Sequence, residues 1–400
     1  MGPGKMQVSR RATSLAQSAT TATMARARQL AAAGVDIVNF GIGEPDMEVP
    51  DAVKRKTIEA VKKNITKYPP TQGRQDLREA ISRKLKRDNS LGYSPDQIVV
   101  SSGAKQSLYS AMLATLNPLD EVIIIKPYWV SYPEQVKLCG AVPVIVDSGP
   151  GFIPSADAVW KRITKRTRMI ILNSPNNPTG AVYGRKALYE IARLAVENDI
   201  MVLSDEIYEH LIYEGRHVSI ASLNSRIRDL TVTINGLSKS HAMTGYRIGY
   251  AAAAPEIVQA MVRIQSHTSG PSSISQYAAL AALDGGYASI RSERETFRRR
   301  RKLVMDELAK VPGLSVAKPA GTFYVFPDIS AACKSIHIAA LEKRGGKSAS
   351  RAFSEGLLDR EGVVTVPGSA FGDDRCIRIS YTIPEERIIE GIDRIRRFVS

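Results

Sequence analysis

A lysine becomes a nucleophile toward an aldehyde when burial disfavours its charged form. Lys239 is placed for that, in Asn235-Gly236-Leu237-Ser238-Lys239-Ser240 after an apolar strand pattern, with Arg247 shortly downstream. Asp205, in Ser204-Asp205-Glu206-Ile207-Tyr208, ends another apolar run, where an ionised carboxylate is costly unless a cation faces it. Pro127-Tyr128-Trp129 sets one of only two tryptophans beyond a third strand, a site suited to core packing or to stacking on a ring. Ser174-Pro175-Asn176-Asn177-Pro178-Thr179-Gly180 is a rigid, donor-rich turn. Ser101-Ser102-Gly103-Ala104-Lys105-Gln106 opens a helix whose first N–H groups would face an anion. Singly, these motifs have plainer readings: a surface lysine, a packed tryptophan, an ordinary strand-to-helix turn. Together they supply an imine-forming lysine, an acid for a pyridinium nitrogen, an aromatic plate and phosphate donors, all at carboxyl ends of strands. That combination specifies pyridoxal 5′-phosphate.

The elements that must carry these residues alternate. Strand patterns at Gln97–Val100, Glu121–Ile125, Val142–Val146, Met169–Leu172, Ile200–Leu203, Leu230–Ile234 and Arg247–Ala252 are interleaved with helical periods such as Asp51–Lys63 and Gln75–Arg87. This predicts an α/β fold with a mainly parallel seven-stranded sheet wrapped by helices. Beyond Leu314 the texture changes. Short strands at Thr322–Phe326, Val363–Val366 and Ile377–Tyr381 alternate with helices at Ser348–Leu358 and Pro384–Phe398, the pattern of a smaller α+β domain. The expected division is a large cofactor-binding domain over residues 46–287, with residues 1–45 and 288–400 forming an N-terminal arm and the small domain.

Several function classes fall away. A chain of 400 residues with 44% apolar content can bury a large core without disulfides or a structural metal. Cys139, Cys333 and Cys376 show no C-x-x-C and no Cys/His spacing, which suits a reducing cytoplasm and no metal site. His210 and His217 belong to no H-E-x-x-H and read as packed or exposed. No apolar run approaches the ~20 residues that span a bilayer. The net charge of +15 invites a nucleic-acid partner, but its densest cluster, Arg298 to Lys302, sits among Phe297, Leu303, Val304 and Leu308 as one solvated helix face. No RNA- or DNA-binding motif accompanies it. Gly346-Lys347-Ser348 imitates a phosphate loop but has Leu341 where that loop needs glycine, and Gly41-Ile42-Gly43 lacks the dinucleotide fingerprint's third glycine. No acid precedes Asp36, as in a transit peptide, yet the helical stretch Thr23–Ala33 runs straight into Val35–Phe40 and reads as part of the fold.

In the order and spacing of Gly43-Glu44-Pro45-Asp46, Ser174 to Gly180, Ser204 to Tyr208 and Ser238-Lys239 with Arg247, the chain resembles the fold-type I, class I aminotransferases. The bacterial-type aspartate and aspartate/prephenate aminotransferases are the subgroup it is most like. The resemblance runs from about Ser9 to the C-terminus, which leaves no room for a cleaved presequence. It implies that Lys239 holds the cofactor and moves the proton between substrate Cα and cofactor C4′. Asp205 keeps the ring nitrogen protonated so that the ring takes up electrons. Trp129 stacks on the ring, and Asn177 and Tyr208 bond its oxygen. Gly103, Ala104, Ser238 and Arg247 hold the phosphate. Tyr68 matches a tyrosine that reaches the neighbouring subunit's cofactor, implying a homodimer with shared sites. Arg378 is the planar donor for the substrate α-carboxylate, with Asn177, Trp129 and the backbone near Gly41 completing that region.

Substrate choice falls to other residues. Lys105 matches a lysine that contacts the distal carboxylate of aspartate, glutamate or prephenate; its other reading is an exposed first-turn lysine. Ser18 and Thr20 match further contacts from the arm, and Tyr132 is the tyrosine usual in the subgroup. Ala16-Gln17 stand where relatives often carry Lys-Pro, one positive charge fewer. The implied activity on small amino and 2-oxo acids is L-aspartate with 2-oxoglutarate giving oxaloacetate and L-glutamate, by ping-pong double displacement. The alternatives are prephenate amination, a non-transaminating reaction on the same cofactor, and a nucleic-acid-binding role for a retired enzyme fold. Neither nucleic acid nor membrane is an expected partner.

Overall fold

The computed structural model describes residues 7–16, 19–285, 290–334 and 348–400. After the short β1 (Val38–Asn39), the central sheet is built from β2 (Ile98–Ser102), β3 (Glu121–Lys126), β4 (Val142–Asp147), β5 (Thr167–Asn173), β6 (Met201–Asp205), β7 (Thr231–Gly236) and β8 (Ile248–Ala252). Their order is β2-β8-β7-β6-β5-β3-β4. β8 alone runs against its neighbours, pairing antiparallel with both β2 and β7. The strands are nearly all apolar because helices cover both faces. Ile124, Ile171, Leu203 and Val232 pack on the side of helix Ala104–Thr115. Ile123, Ile170 and Val202 pack on the side of helix Arg185–Glu197. Each such side chain contributes about 1.5–3 kcal/mol by leaving water. Asn173 pairs in register with Asp205 and Asp205 with Ile234, so three strand ends open onto one edge.

The second body of structure contains β9 (Tyr324–Val325), β10 (Val363–Val364), β11 (Val366–Pro367) and β12 (Ile377–Ser380). β11, β12 and β9 form an antiparallel sheet, while β10 pairs in parallel with β1. The strand expected over Val363–Val366 is therefore two. It divides at Thr365, whose buried hydroxyl lies 3.0 Å from Ser354 Oγ, and the halves join different sheets. The N-terminal helix, Ala19–Ala32, starts earlier than expected and packs Ala27 and Leu30 against Leu358 and Val364, so this segment is part of the fold.

The basic run on helix Arg291–Leu308 is not one solvated face. Arg301 falls on the stripe made by Phe297, Val304 and Leu308, and both Arg300 and Arg301 are buried. Arg300 grips Asp46 at 2.7 and 2.8 Å, and Arg301 meets Glu214 at 2.6 Å. Among the described residues no helix is long and apolar enough to cross a membrane. Gly346-Lys347 lies outside the described residues.

Candidate active site

The open edge of the central sheet and the small antiparallel sheet enclose a cavity of about 630 Å³. It is lined by Ala104, Lys105, Trp129, Asn177, Asp205, Tyr208, Ser238, Lys239, Arg247 and Arg378, which the chain brings together from positions far apart. Gly103 is the residue before helix Ala104–Thr115, and Gly41 lies behind Arg378. Tyr68 is elsewhere: it is fully exposed, in a separate groove of about 800 Å³ with Lys67, Pro69 and Ser269. Ser18 lies outside the described residues, as does the side chain of Thr20, whose backbone belongs to helix Ala19–Ala32.

Lys239 leaves β7 on the turn toward β8 and donates from Nζ to the Gly43 carbonyl at 2.7 Å. Burial, the largest effect, lowers its pKa to about 8; the positive charges of Arg378 and Arg247 add to this, and Glu44 and Asp205 oppose it. Asp205, at the end of β6, is moved the other way. Burial raises its pKa to about 6, against the phenol of Tyr132, which donates to Oδ2 at 2.7 Å, and the Ile207 N–H, which donates to Oδ1 at 3.2 Å. An amine of lowered basicity and a strained carboxyl in one cavity are the signature of a reacting site.

Anion donors stand at two ends. Gly103 has φ +85°, and a Cβ there would strike the Arg247 guanidinium. Only glycine keeps the helix start and Arg247 open to the same anion. A side chain on Gly249 of β8 would run into the backbone of Gly103 and Ala104 in the same way. Arg247 is held by the Thr244 carbonyl at 2.9 Å. At the other end Arg378 is buried, with Nη1 on Asn177 Oδ1 at 3.2 Å and Nη2 on the Gly41 carbonyl at 2.8 Å. Gly41 thus holds the guanidinium through its oxygen, while its own N–H is taken by Asn39 Oδ1 at 2.9 Å. Arg378 Nε has no hydrogen-bond partner, an orphaned donor of the kind a carboxylate would satisfy. Lys105 is half-buried, its Nζ 5.0 Å from the Trp129 ring centre; burial, then Arg247, lowers its pKa. These groups fit a phosphorylated pyridine aldehyde and a substrate with two carboxylates.

Two tyrosines have contacts that the sequence does not show, although Tyr132 is itself the tyrosine usual in the subgroup. Tyr132 is the side-chain donor to Asp205, and Tyr324 packs on Arg378. Behind Asp205, Glu206, Glu209 and His217 bring ligand-type atoms within 4.8 Å of one another. The Lys84 ammonium bonds Glu209 there, so the chain supplies this cluster with its own cation. The signal available was weak: acids flanking Asp205 and a lysine on a distant helix, each ordinary by itself.

The family described as aminotransferase class I and II matches residues 35–395. An aspartate aminotransferase of Bacillus sp. (strain YM-2) is 43% identical over 99% of this chain and 100% of its own. An aspartate/prephenate aminotransferase of Thermus thermophilus is 42% identical, covering 98% of both. Among solved structures, the aspartate aminotransferase of Thermus thermophilus with maleate superposes with a TM-score of 0.90 at 41% identity, over 98% of this chain and 99% of that one.

Proposed function

The chain belongs to the class I and II aminotransferases, and we propose that it transfers the amino group of L-aspartate to 2-oxoglutarate in two stages, with pyridoxal 5′-phosphate as coenzyme. The observation that carries this reading is a single cavity holding a lysine at about 8, a carboxyl at about 6 and an arginine with an unpartnered Nε. Pyridoxal phosphate, when bound, supplies an aldehyde for amines and a cationic ring that takes up electrons.

In this reading Lys239 would anchor the coenzyme, and its amine, once released, would carry the proton from the substrate Cα to the coenzyme's C4′. A pKa near 8 leaves a useful neutral fraction at neutral pH. Asp205 gives its negative charge to the ring nitrogen, and Tyr132 favours that ionised form. The first N–H groups after Gly103, at Ala104, serve the phosphate with Ser238 and Arg247. Asn177 and Tyr208 serve the ring oxygen, and Trp129 flanks the ring. Arg378 takes the α-carboxylate. Lys105 takes the distal one, which repairs the cost of its half-buried ammonium.

Tyr68 lies fully exposed outside its own chain's cavity, where a neighbouring subunit could reach it, which supports a homodimer with shared sites. Residues 46–287 would then form the coenzyme-binding domain. The arm and small domain, residues 1–45 and 288–400, would close over substrate and exclude water. We place this activity in the cytoplasm.

L-aspartate alone is expected to bleach the visible band of the coenzyme-loaded protein and to yield one equivalent of oxaloacetate per site. 2-Oxoglutarate should then restore the band. No change with aspartate or glutamate, but a change with an aromatic or basic amino acid, would overturn the dicarboxylate assignment. Prephenate is a second acceptor to test, because the Thermus thermophilus relative carries that name and Lys105 suits its distal carboxylate. Paired kinetics with prephenate and 2-oxoglutarate separate the two.

A further inference from the structure

Tyr324 is buried where the small sheet meets the cavity, and no sequence motif singles it out. On β9 it pairs with Ser380 of β12, the strand that carries Arg378. The face of its ring lies 4.5 Å from the Arg378 guanidinium carbon, with the Phe371 ring at 5.3 Å. Its hydroxyl is 3.0 Å from that of Tyr208. A Cβ on Gly43 would come within 2.5 Å of the same hydroxyl, so the glycine keeps that position open.

The two bonds that Arg378 donates to Asn177 and Gly41 fix the ends of the guanidinium but not the tilt of its plane. An aromatic face fixes the tilt, because a flat cation is attracted to it and loses that attraction when it rotates away. A two-pronged grip on a carboxylate depends on that plane. The contact between the phenols acts differently. A hydroxyl that accepts a hydrogen bond becomes a stronger donor through its own proton.

We propose that Tyr324 is a positioning residue that links carboxylate recognition to the coenzyme side of the cavity. Its ring sets the plane of Arg378, and its hydroxyl donates to Tyr208, leaving the Tyr208 proton to point into the cavity. This rests on the aminotransferase reading above.

The test uses the full-length, coenzyme-loaded protein as wild type, Y324F and Y324L. Maleate, a non-reacting dicarboxylate, is titrated by its effect on the visible band, and that band is titrated with pH in the absence of ligand. Y324F keeps the ring, so its maleate Kd should stay within about twofold of wild type. Without the hydroxyl, Tyr208 donates more weakly to the ring oxygen, and the proton affinity of the chromophore should rise about three- to tenfold. Y324L should show that rise together with about a tenfold weaker maleate Kd and a higher aspartate KM, with kcat changed less. A Y324F midpoint at or below wild type overturns the role of the hydroxyl, and a Y324L Kd within twofold of wild type overturns the role of the ring. If Y324L does not fold, Y324F still decides the role of the hydroxyl and Y324M, a second ring-free side chain, decides the role of the ring by the same maleate criterion. A wild type with neither visible band nor maleate binding overturns the aminotransferase reading itself, and this inference with it.

Discussion

Asp205 ends β6 and Glu209 lies four residues on, both buried, yet their carboxyls are displaced in opposite directions. Asp205 faces the cavity, where burial outweighs its two donors and lifts it to about 6. Glu209 points behind it. Burial works against its charge as well, but Lys84, His210 and His217 outweigh burial and hold it well below the usual carboxylate range. Asn89 adds a bond to Glu209 at 2.5 Å, while Glu206 accepts from Ser204, Ser219 and His217 at 2.7 to 2.9 Å. Both rear carboxylates are held by several donors, so the network fixes the backbone that aims Asp205 and Tyr208 forward. The cavity is left with unbalanced charge, which a ligand of complementary charge can neutralise.

The largest expected effect comes from stripping the rear face. Lys84→Met leaves Glu209 buried without its ammonium and should cost about 3–5 kcal/mol of stability, read as a lower urea midpoint at pH 7. Adding Glu209→Gln should recover much of it, and an unchanged midpoint in the single variant would erase the contrast between the faces. Removing the forward charge should do the reverse. In coenzyme-free protein Asp205→Asn is expected to gain about 2–3 kcal/mol at pH 7 while abolishing most turnover in the loaded enzyme. The sign follows from a folded pKa raised from 3.8 to about 6. The penalty in the wild type is absent below about pH 4, grows to pH 6 and stays constant above, so the advantage of the variant should vanish at pH 4. A gain that persists there would mean a packing effect.

The smallest effect belongs to His217, which burial would leave neutral but which Glu206 raises above 6.5. Its stabilisation is complete below 6.5 and lost as pH climbs through the folded value. His217→Gln should therefore cost about 1 kcal/mol at pH 6 and less at higher pH, a trend that paired denaturation curves at the two pH values would reveal.

Much of this architecture was legible in advance. The central strands read clearly because strands buried on both faces need long apolar runs, and Lys239, Asp205 and the SPNNPTG turn each stand at or just past the end of one. What escaped were residues whose surroundings come from elsewhere in the chain. Lys84 sits in Arg83-Lys84-Leu85-Lys86-Arg87, where nothing local marks it out from its basic neighbours, and it is buried against Glu209 and Asn89. Arg300 and Arg301 depart from the solvated face for the same reason, their partners Asp46 and Glu214 lying far from them in the chain. Tyr324 occupies an unremarkable apolar strand, and only the pairing of β9 with β12 brings it to Arg378.

Residue order alone settled which chemical groups stand at the ends of which strands, because hydrophobic period and turn chemistry are local properties. Their states of charge were decided by the folded chain. Ionisation in a protein interior depends on how much water is excluded and which opposite charges come within a few ångströms, and both are set by segments that meet only after folding. Two acids on one short segment, one poised for a ligand and the other locked by a lysine, differ for that reason alone.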